Sequence, residues 1–247
     1  MIPKIIHYCW FGNKPLDAKS KKCIASWKKY FPDYEIKEWN ENNFDITQCQ
    51  YAREAYYEKK WAFVSDYARF KILYEHGGIY FDTDVEVIRD FAPILEKGAF
   101  MGRENPINAK STGVAPGLGI GANAGLDLYE EIIDDYEKSS FYKKDGSLNL
   151  YTVVERTTEI LQRYGLKNTA NIQNVAGINI YPREYFCPIN RETGKLEITK
   201  NTYSIHRFAG SWESRNNKFR GKVYRFINRY FGKSAAELVR KKLGKKD

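Results

Sequence analysis

Tyr74-Glu75-His76-Gly77-Gly78-Ile79-Tyr80-Phe81-Asp82-Thr83-Asp84 decides how this chain reads. Before it, Ala62 to His76 has helical spacing, with Phe63, Tyr67, Phe70 and Tyr74 recurring at three- and four-residue steps. Gly77-Gly78 predicts the helix end, because glycine lets the chain turn left-handed past the last helical residue. Ile79 to Phe81 is a short apolar strand that runs straight into Asp82-Thr83-Asp84, and Val85 and Val87 are expected to continue it. Two carboxylates one residue apart, just past an apolar strand, stand where a parallel sheet opens to a crevice and ligands bind. Their hard oxygens suit Mg²⁺ or Mn²⁺. A cation held there neutralises charge on a departing diphosphate. The plainer alternative is a solvated turn, where Asp is also common.

Working outward, Lys4 to Trp10 reads as a buried first strand, Ala18 to Tyr30 as a helix with Cys23, Ile24 and Trp27 on one face, and Tyr34 to Trp39 as a second strand. This β-α-β opening is the unit of parallel sheets, so the fold class is α/β. A helix is predicted over 50–60, strands over 98–101, 118–120, 178–181 and 203–206, and helices over 126–138 and 151–163. Residues 109–125 are rich in Gly, Ala and Ser and read as a loop around the 118–120 strand. They contain no phosphate-binding G-x-x-x-x-G-K-[ST], and no G-x-G-x-x-G follows the first strand.

Asp66 and Arg69 lie three apart on the predicted helix and so share a face. An exposed ion pair would contribute little there, but both sit between apolar ring positions. Ser204-Ile205-His206-Arg207-Phe208-Ala209-Gly210-Ser211-Trp212 follows a strand and ends in a loop with a large ring at its rim. His206 is one of only three histidines, with His7 and His76, and histidine can complete a cation's shell; a lone His is more often structural.

Cys9, Cys23, Cys49 and Cys187 form no C-x-x-C pair, which argues against a zinc site or a disulfide framework and for reduced, buried thiols. The opening MIPKIIHYCW has no long apolar run, so no signal peptide is expected, and no stretch approaches the ~20 apolar residues that span a bilayer. The expectation is a cytoplasmic protein. The net charge of +9 is uneven: residues 214–247 carry twelve Lys or Arg against Glu237 and Asp247, so the tail holds +10 and the body −1. Phe219, Val223, Phe226, Ile227, Tyr230 and Phe231 recur among those cations at helical spacing. Such a helix suits an anionic membrane surface, and the inner face of the plasma membrane is where lipid-linked glycan acceptors reside. The alternative is a helix packed on the domain by its aromatic face. Nucleic-acid binding is disfavoured, since no recognition motif accompanies the charge.

Three blocks carry a resemblance: Ile2 to Gly12; Phe63-Val64-Ser65-Asp66-Tyr67-Ala68-Arg69 with Tyr74 to Asp84; and His206 to Trp212. Together, and in this order, they resemble glycosyltransferase family 32, the group of bacterial capsular-polysaccharide and fungal mannosyltransferases, whose core is shared by clostridial glucosylating toxins. The resemblance spans residues 1 to about 212. It implies a GT-A type, Rossmann-like fold over 1–213, with 214–247 as a basic helical appendage. It also implies retaining transfer of a hexose from a nucleoside-diphosphate sugar, a UDP-sugar first and GDP-mannose second, to a capsule or lipopolysaccharide repeat unit. By the same resemblance Trp10 flanks the base, Asp66 and Arg69 grip the donor sugar and diphosphate, and Asp82 reaches the ribose and sugar. Asp84 ligates the metal, with His206 and Asp82 as further ligands. His7, Ser65, Tyr80, Ser211 and Trp212 complete the donor site. Whether His206 or Ser211 meets the cation is left open.

The rival readings are an aspartyl phosphohydrolase and a basic membrane or nucleic-acid adaptor on a degenerate transferase fold. The hydrolases want Thr two residues beyond the second Asp, where this chain has Glu86, and place their Asp pair after the first strand. Asp66, Arg69, Asp82, Asp84 and His206 argue against the adaptor.

Overall fold

The structure, a computed structural model, describes residues 1–106, 109–209 and 215–243. In chain order the elements are β1 (Ile5–Cys9), α1 (Ala18–Tyr30), β2 (Glu35–Trp39), α2 (Gln50–Tyr57), α3 (Trp61–His76), β3 (Gly78–Tyr80), β4 (Val85–Val87), α4 (Ala92–Leu95), β5 (Phe100–Gly102), β6 (Ile120–Ala122), α5 (Asp127–Glu137), α6 (Val153–Arg163), β7 (Gln173–Val175), β8 (Ile178–Tyr181), β9 (Ser204–His206) and α7 (Arg215–Leu243). Among the described residues, seven strands form one sheet in the order β2-β1-β3-β6-β5-β8-β7. β1 is parallel to β2 and β3, and β5 to β8; β6 and β7 run against their neighbours. Five strands therefore point one way, as the β-α-β opening requires. The expected α/β class holds.

The sheet separates two apolar clusters, and the period-two alternation of its strands feeds both. Ile6, Tyr8 and Ile79 point to one face, where Trp27, Phe31, Phe91 and Phe186 pack. Cys9 and Tyr80 point to the other, against Tyr67, Phe70, Tyr129 and Tyr136. All four cysteines are free and buried; Cys9, Cys49 and Cys187 serve as small hydrophobes in these clusters.

Helix ends follow local chemistry. Asp17 accepts from the Ser20 N–H at the start of α1, and Thr152 with Glu155 forms a reciprocal capping box on α6. Gly77 and Gly78 both have positive φ, at 63° and 98°. A Cβ on either would come within 2.7 Å of backbone, at Ala124 N and Ile5 O respectively. Only glycine passes from α3 into β3 here.

One expectation fails, and so does one of the two alternative readings of the tail. Val85 and Val87 do not continue the strand before them. The Val85 N–H donates to Asp82 O (3.0 Å), and that turn carries the chain out of the main sheet. β4 then pairs antiparallel with β9 in a separate two-stranded sheet. The C-terminal helix, for its part, does not pack on the domain by its aromatic face: Phe219, Phe226, Tyr230 and Phe231 are all more than half exposed. It is broken at Gly232 (φ 82°) and docks through polar contacts, Asn228 Nδ2 to Glu192 O (3.1 Å) and Lys233 to Glu192 (3.0 Å). No helix of the described residues is long and apolar enough to cross a membrane.

Candidate active site

β1 and β3 are parallel neighbours, so their C-terminal ends share one edge of the sheet. Trp10 leaves β1 there and Asp82 leaves β3. Gly117, in the 3₁₀ turn Pro116–Leu118, approaches so closely that a Cβ on it would overlap Asp82 Oδ2 and lie 3.3 Å from Arg69 Nη1. Its carbonyl also accepts the Asp82 N–H at 3.3 Å. The small-residue loop read in the sequence is thus a wall of the site.

The β4–β9 pairing sets Val85 opposite His206 and so brings His206 beside the Asp pair. His206 Nε2 lies 3.0 Å from Asp84 Oδ1 and 4.0 Å from Asp82 Oδ2. The other oxygen of Asp84 accepts from the Ala209 N–H at 2.8 Å, and its carbonyl accepts from the Arg207 N–H at 2.9 Å. The Phe208 ring stands edge-on to the imidazole, centroids 4.4 Å apart. His206 Nδ1 is buried without a partner among the described residues. One ligand atom from each of Asp82, Asp84 and His206 lies within 4.8 Å of the others. Two carboxylate oxygens and an imidazole suit a divalent cation such as Mn²⁺ or Mg²⁺, so these residues fit the expected metal.

The charges in the cluster answer one another. Burial opposes a charge on His206, but Asp84, through its charge and hydrogen bond, and Asp82 together raise its pKa above the usual value. Burial likewise pushes the Asp84 carboxyl up, and His206 with the Ala209 N–H more than offsets this, leaving it below the usual carboxylate range. Asp82 goes the other way: burial raises it, and the Arg69 charge, opposed by Asp84, does not fully offset that rise. The site gathers more acid than its own bases balance, which is the condition for gathering a cation.

Behind Asp82 stands a buried support. Arg69 is 3% exposed, with Nη2 2.8 Å from Asp66 Oδ1 and 3.2 Å from Asp82 Oδ1. Its Nε donates to Ser65 O (3.1 Å), and its guanidinium lies 4.9 Å from the Tyr80 ring centroid. The Tyr80 hydroxyl donates to Asp82 Oδ1 at 3.1 Å. Burial raises the Asp66 carboxyl to about 7 despite the neighbouring Arg69.

These positions change several expected roles. Arg69 and Asp66 are buried and face each other, and Arg69 also faces Asp82. Tyr80 is buried and its hydroxyl is committed to Asp82. Ser65 donates its hydroxyl to Trp61 O (3.0 Å), and only its carbonyl serves the site, through Arg69. His7 is fully buried with both ring nitrogens engaged, Nδ1 accepting from Trp39 Nε1 and Nε2 facing Gly77 O, each at 3.0 Å. It has no face left for a donor. Trp10 is half-buried at the rim, its Nε1 donating to Lys14 O at 2.5 Å. Ser211 and Trp212 lie outside the described residues. Sequence reading missed Gly117, whose signal was the run of small residues, and the Ala209 N–H, which no side-chain pattern could announce.

The fold and cluster define an α/β protein with an Asp-Thr-Asp candidate cation site at a strand end. Residues 17–101, which include Asp66, Arg69, Asp82 and Asp84, match the family described as "Glycosyltransferase sugar-binding region containing DXD motif". The chain thereby carries that sugar-binding region and is family-32-like in sequence. It is 34% identical to inositol phosphoceramide mannosyltransferase 3 of Schizosaccharomyces pombe, over 42% of this chain and 30% of that one. It is 32% identical to an uncharacterized glycosyltransferase of Acanthamoeba polyphaga mimivirus, over 40% of this chain and 42% of that one. The chain thus spans less than half the length of these relatives. Among solved structures, the PaToxG glycosyltransferase is similar with a TM-score of 0.49 and 22% identity, covering 66% of this chain and 69% of that one.

Proposed function

We propose that this chain is a metal-dependent glycosyltransferase on a GT-A type frame, moving a hexose with retention from a nucleoside-diphosphate sugar to a cell-surface glycan such as a capsule or lipopolysaccharide repeat unit. The observation that carries the reading is the convergence of Asp82, Asp84 and His206 at the sheet edge, inside or beside the matched sugar-binding region. A UDP-sugar is the first donor choice. GDP-mannose is the second, supported by the mannosyltransferase name of the fungal relative.

Asp84, His206 and Asp82 would hold Mn²⁺ or Mg²⁺, which would supply positive charge against the leaving diphosphate. The chain's own residues do the positioning. Arg69 and the Tyr80 hydroxyl both engage Oδ1 of Asp82 and leave Oδ2 turned toward His206. Asp66 balances the Arg69 charge, so the brace survives burial. Gly117 packs closely against Asp82 and forms one wall of the site. Among these residues no carboxylate is free to act as a nucleophile on the sugar, which supports same-face attack by the acceptor. Ser211 and Trp212 are assigned to the diphosphate and glycosidic oxygen, and Trp10 to the base, on the family resemblance. Cations beside the exposed rings of α7 support residence at the anionic inner face of the plasma membrane.

The test is a panel of nucleotide-sugars scored by thermal shift with and without Mn²⁺. A donor that binds the folded state raises apparent stability with its occupancy. The expected result is a shift for one nucleotide class that EDTA abolishes, followed by transfer giving the same anomer by proton NMR. Equal shifts with and without metal would overturn the metal-dependent reading, and an inverted anomer would overturn retention.

A further inference from the structure

A second concave site lies where α7 folds on itself. Tyr224 and Glu237 are thirteen residues apart, about 20 Å along a straight helix, yet the Tyr224 hydroxyl donates to Glu237 at 3.1 Å. The break at Gly232 therefore returns the second half of the helix toward the first. Between the halves and the turn around Arg191 is a cavity of about 250 Å³, lined by Arg191, Arg220, Tyr224, Arg225, Val239 and Arg240. Two glycines make room for one of these arginines. A Cβ on Gly194 would meet Arg225 Cδ at 3.3 Å, and one on Gly221 would meet its Nη1 at 3.4 Å.

Four guanidinium groups thus share one small cavity. Two have carboxylate partners: Arg191 with Glu104 at 2.6 Å and Arg240 with Glu237 at 3.6 Å. Among the described residues, Arg220 and Arg225 pair with no carboxylate. The cavity is left two positive charges in excess, enough for a phosphate dianion. Arginine forks match phosphate oxygens two at a time, a geometry lysine does not offer. The cavity also adjoins the cation cluster. Arg191 lies over the Phe208 ring at 5.0 Å, and that ring stands against His206. On the same helix Phe219 and Phe226 present exposed rings to whatever an anchored phosphate carries.

We propose that this cavity is an acceptor-side phosphate subsite: it seats the phosphate or diphosphate ester of the acceptor and directs the acceptor's saccharide toward Asp82, Asp84 and His206. The proposal rests on the transferase reading and adds a substrate class to it, a phosphate-bearing acceptor.

The test is calorimetric titration of the full chain with farnesyl diphosphate, without divalent metal or nucleotide-sugar. The R220Q/R225Q variant is expected to bind at least tenfold more weakly than the parent, and Arg225→Lys, which keeps the stem but loses the fork, to fall between. A second pair, Lys222→Gln with Arg229→Gln, removes the same charge from exposed positions outside the cavity and is expected to bind like the parent. Inorganic pyrophosphate binding as tightly as the farnesyl ester would support the subsite and assign it to a soluble phosphate; weaker binding would assign it to a lipid ester. Parent-like affinity in R220Q/R225Q, equal loss in the control pair, or equal affinity for farnesol would each overturn the proposal. Manganese-dependent nucleotide-sugar binding is expected to persist in R220Q/R225Q. Its absence from the parent would sink the transferase reading and leave the diphosphate result standing on its own.

Discussion

His7 and His206 both lie on strands, and their surroundings give them opposite chemistry. His7, on β1, meets a tryptophan N–H and a backbone carbonyl, and burial pushes its pKa down to about 4. His206, on β9, meets two carboxylates through one nitrogen and, among the described residues, no partner through the other, and its pKa is raised. The first ring is kept neutral with every polar atom spent. The second stands in an acidic cluster with binding capacity unspent. Residue type and burial do not separate a structural histidine from a candidate ligand; the partners of its two nitrogens do.

The largest expected effect tests the acidic side of that contrast. Asp84→Asn keeps the shape but removes the charge facing His206, and transfer in Mn²⁺ is expected to fall on the order of 10³-fold. Steady-state rates on the donor found by thermal shift would measure it. A parent-like rate would make the Asp82–Asp84–His206 cluster a polar turn of no catalytic consequence.

Next in size is the acid sensitivity of His7. Its unfolded value of 6.5 falls to about 4 in the fold. Above pH 6.5 neither state holds the proton and the contribution is complete. Between 6.5 and 4 the unfolded chain takes up a proton that the fold refuses, so stability falls as pH falls, by about 3 kcal/mol in all. Urea unfolding at pH 7 and pH 4.5 should show a steeper loss for the parent than for His7→Gln. Identical slopes would mean that His7 does not titrate in this way.

His206→Gln comes third. Loss of outer-shell partners alone weakens metal sites by about 10- to 100-fold, and loss of a ligand is expected to weaken Mn²⁺ at least as much. Mn²⁺ titration of the variant measures this, with the unfolding midpoint near that of the parent. Unchanged Mn²⁺ affinity would transfer the ligand role elsewhere, Ser211 being the other candidate.

Much of this frame was legible in the chain because it is local. The opening β-α-β unit, the helix with rings at three- and four-residue steps, and the Gly77-Gly78 turn into Asp82 depend on neighbours within a few residues. The departure of β4 was not legible. Val85 and Val87 look like any strand, and only the pairing with β9, some 120 residues on, takes them out of the sheet. The same pairing delivers His206, so the sequence could name that ligand by resemblance but could not show what held it in place. The surroundings of Arg69 were hidden for a related reason. An arginine three residues from an aspartate looks free to bind phosphate until tertiary packing closes Asp82 and Tyr80 around it. The fold-back of α7 hides behind one glycine in an otherwise helical run.

The smallest effect sharpens the structural half of the comparison. Trp39→Phe keeps most of the ring that packs against His7 and Phe44 and deletes only the indole N–H that His7 Nδ1 accepts. A buried acceptor left without its donor costs about 1–2 kcal/mol, so the urea midpoint at pH 7 should fall by a corresponding amount. Transfer activity and Mn²⁺ affinity should not change, because the ring nitrogens of His7 are engaged by Trp39 and Gly77 and, among the described residues, neither reaches Asp82, Asp84 or His206. Burial, the main cause of the depressed His7 pKa, remains in the variant, so the acid-induced loss should persist. If instead Trp39→Phe lowers Mn²⁺ affinity while leaving stability intact, the two histidines are coupled across the sheet and the division between a structural and a ligating ring fails.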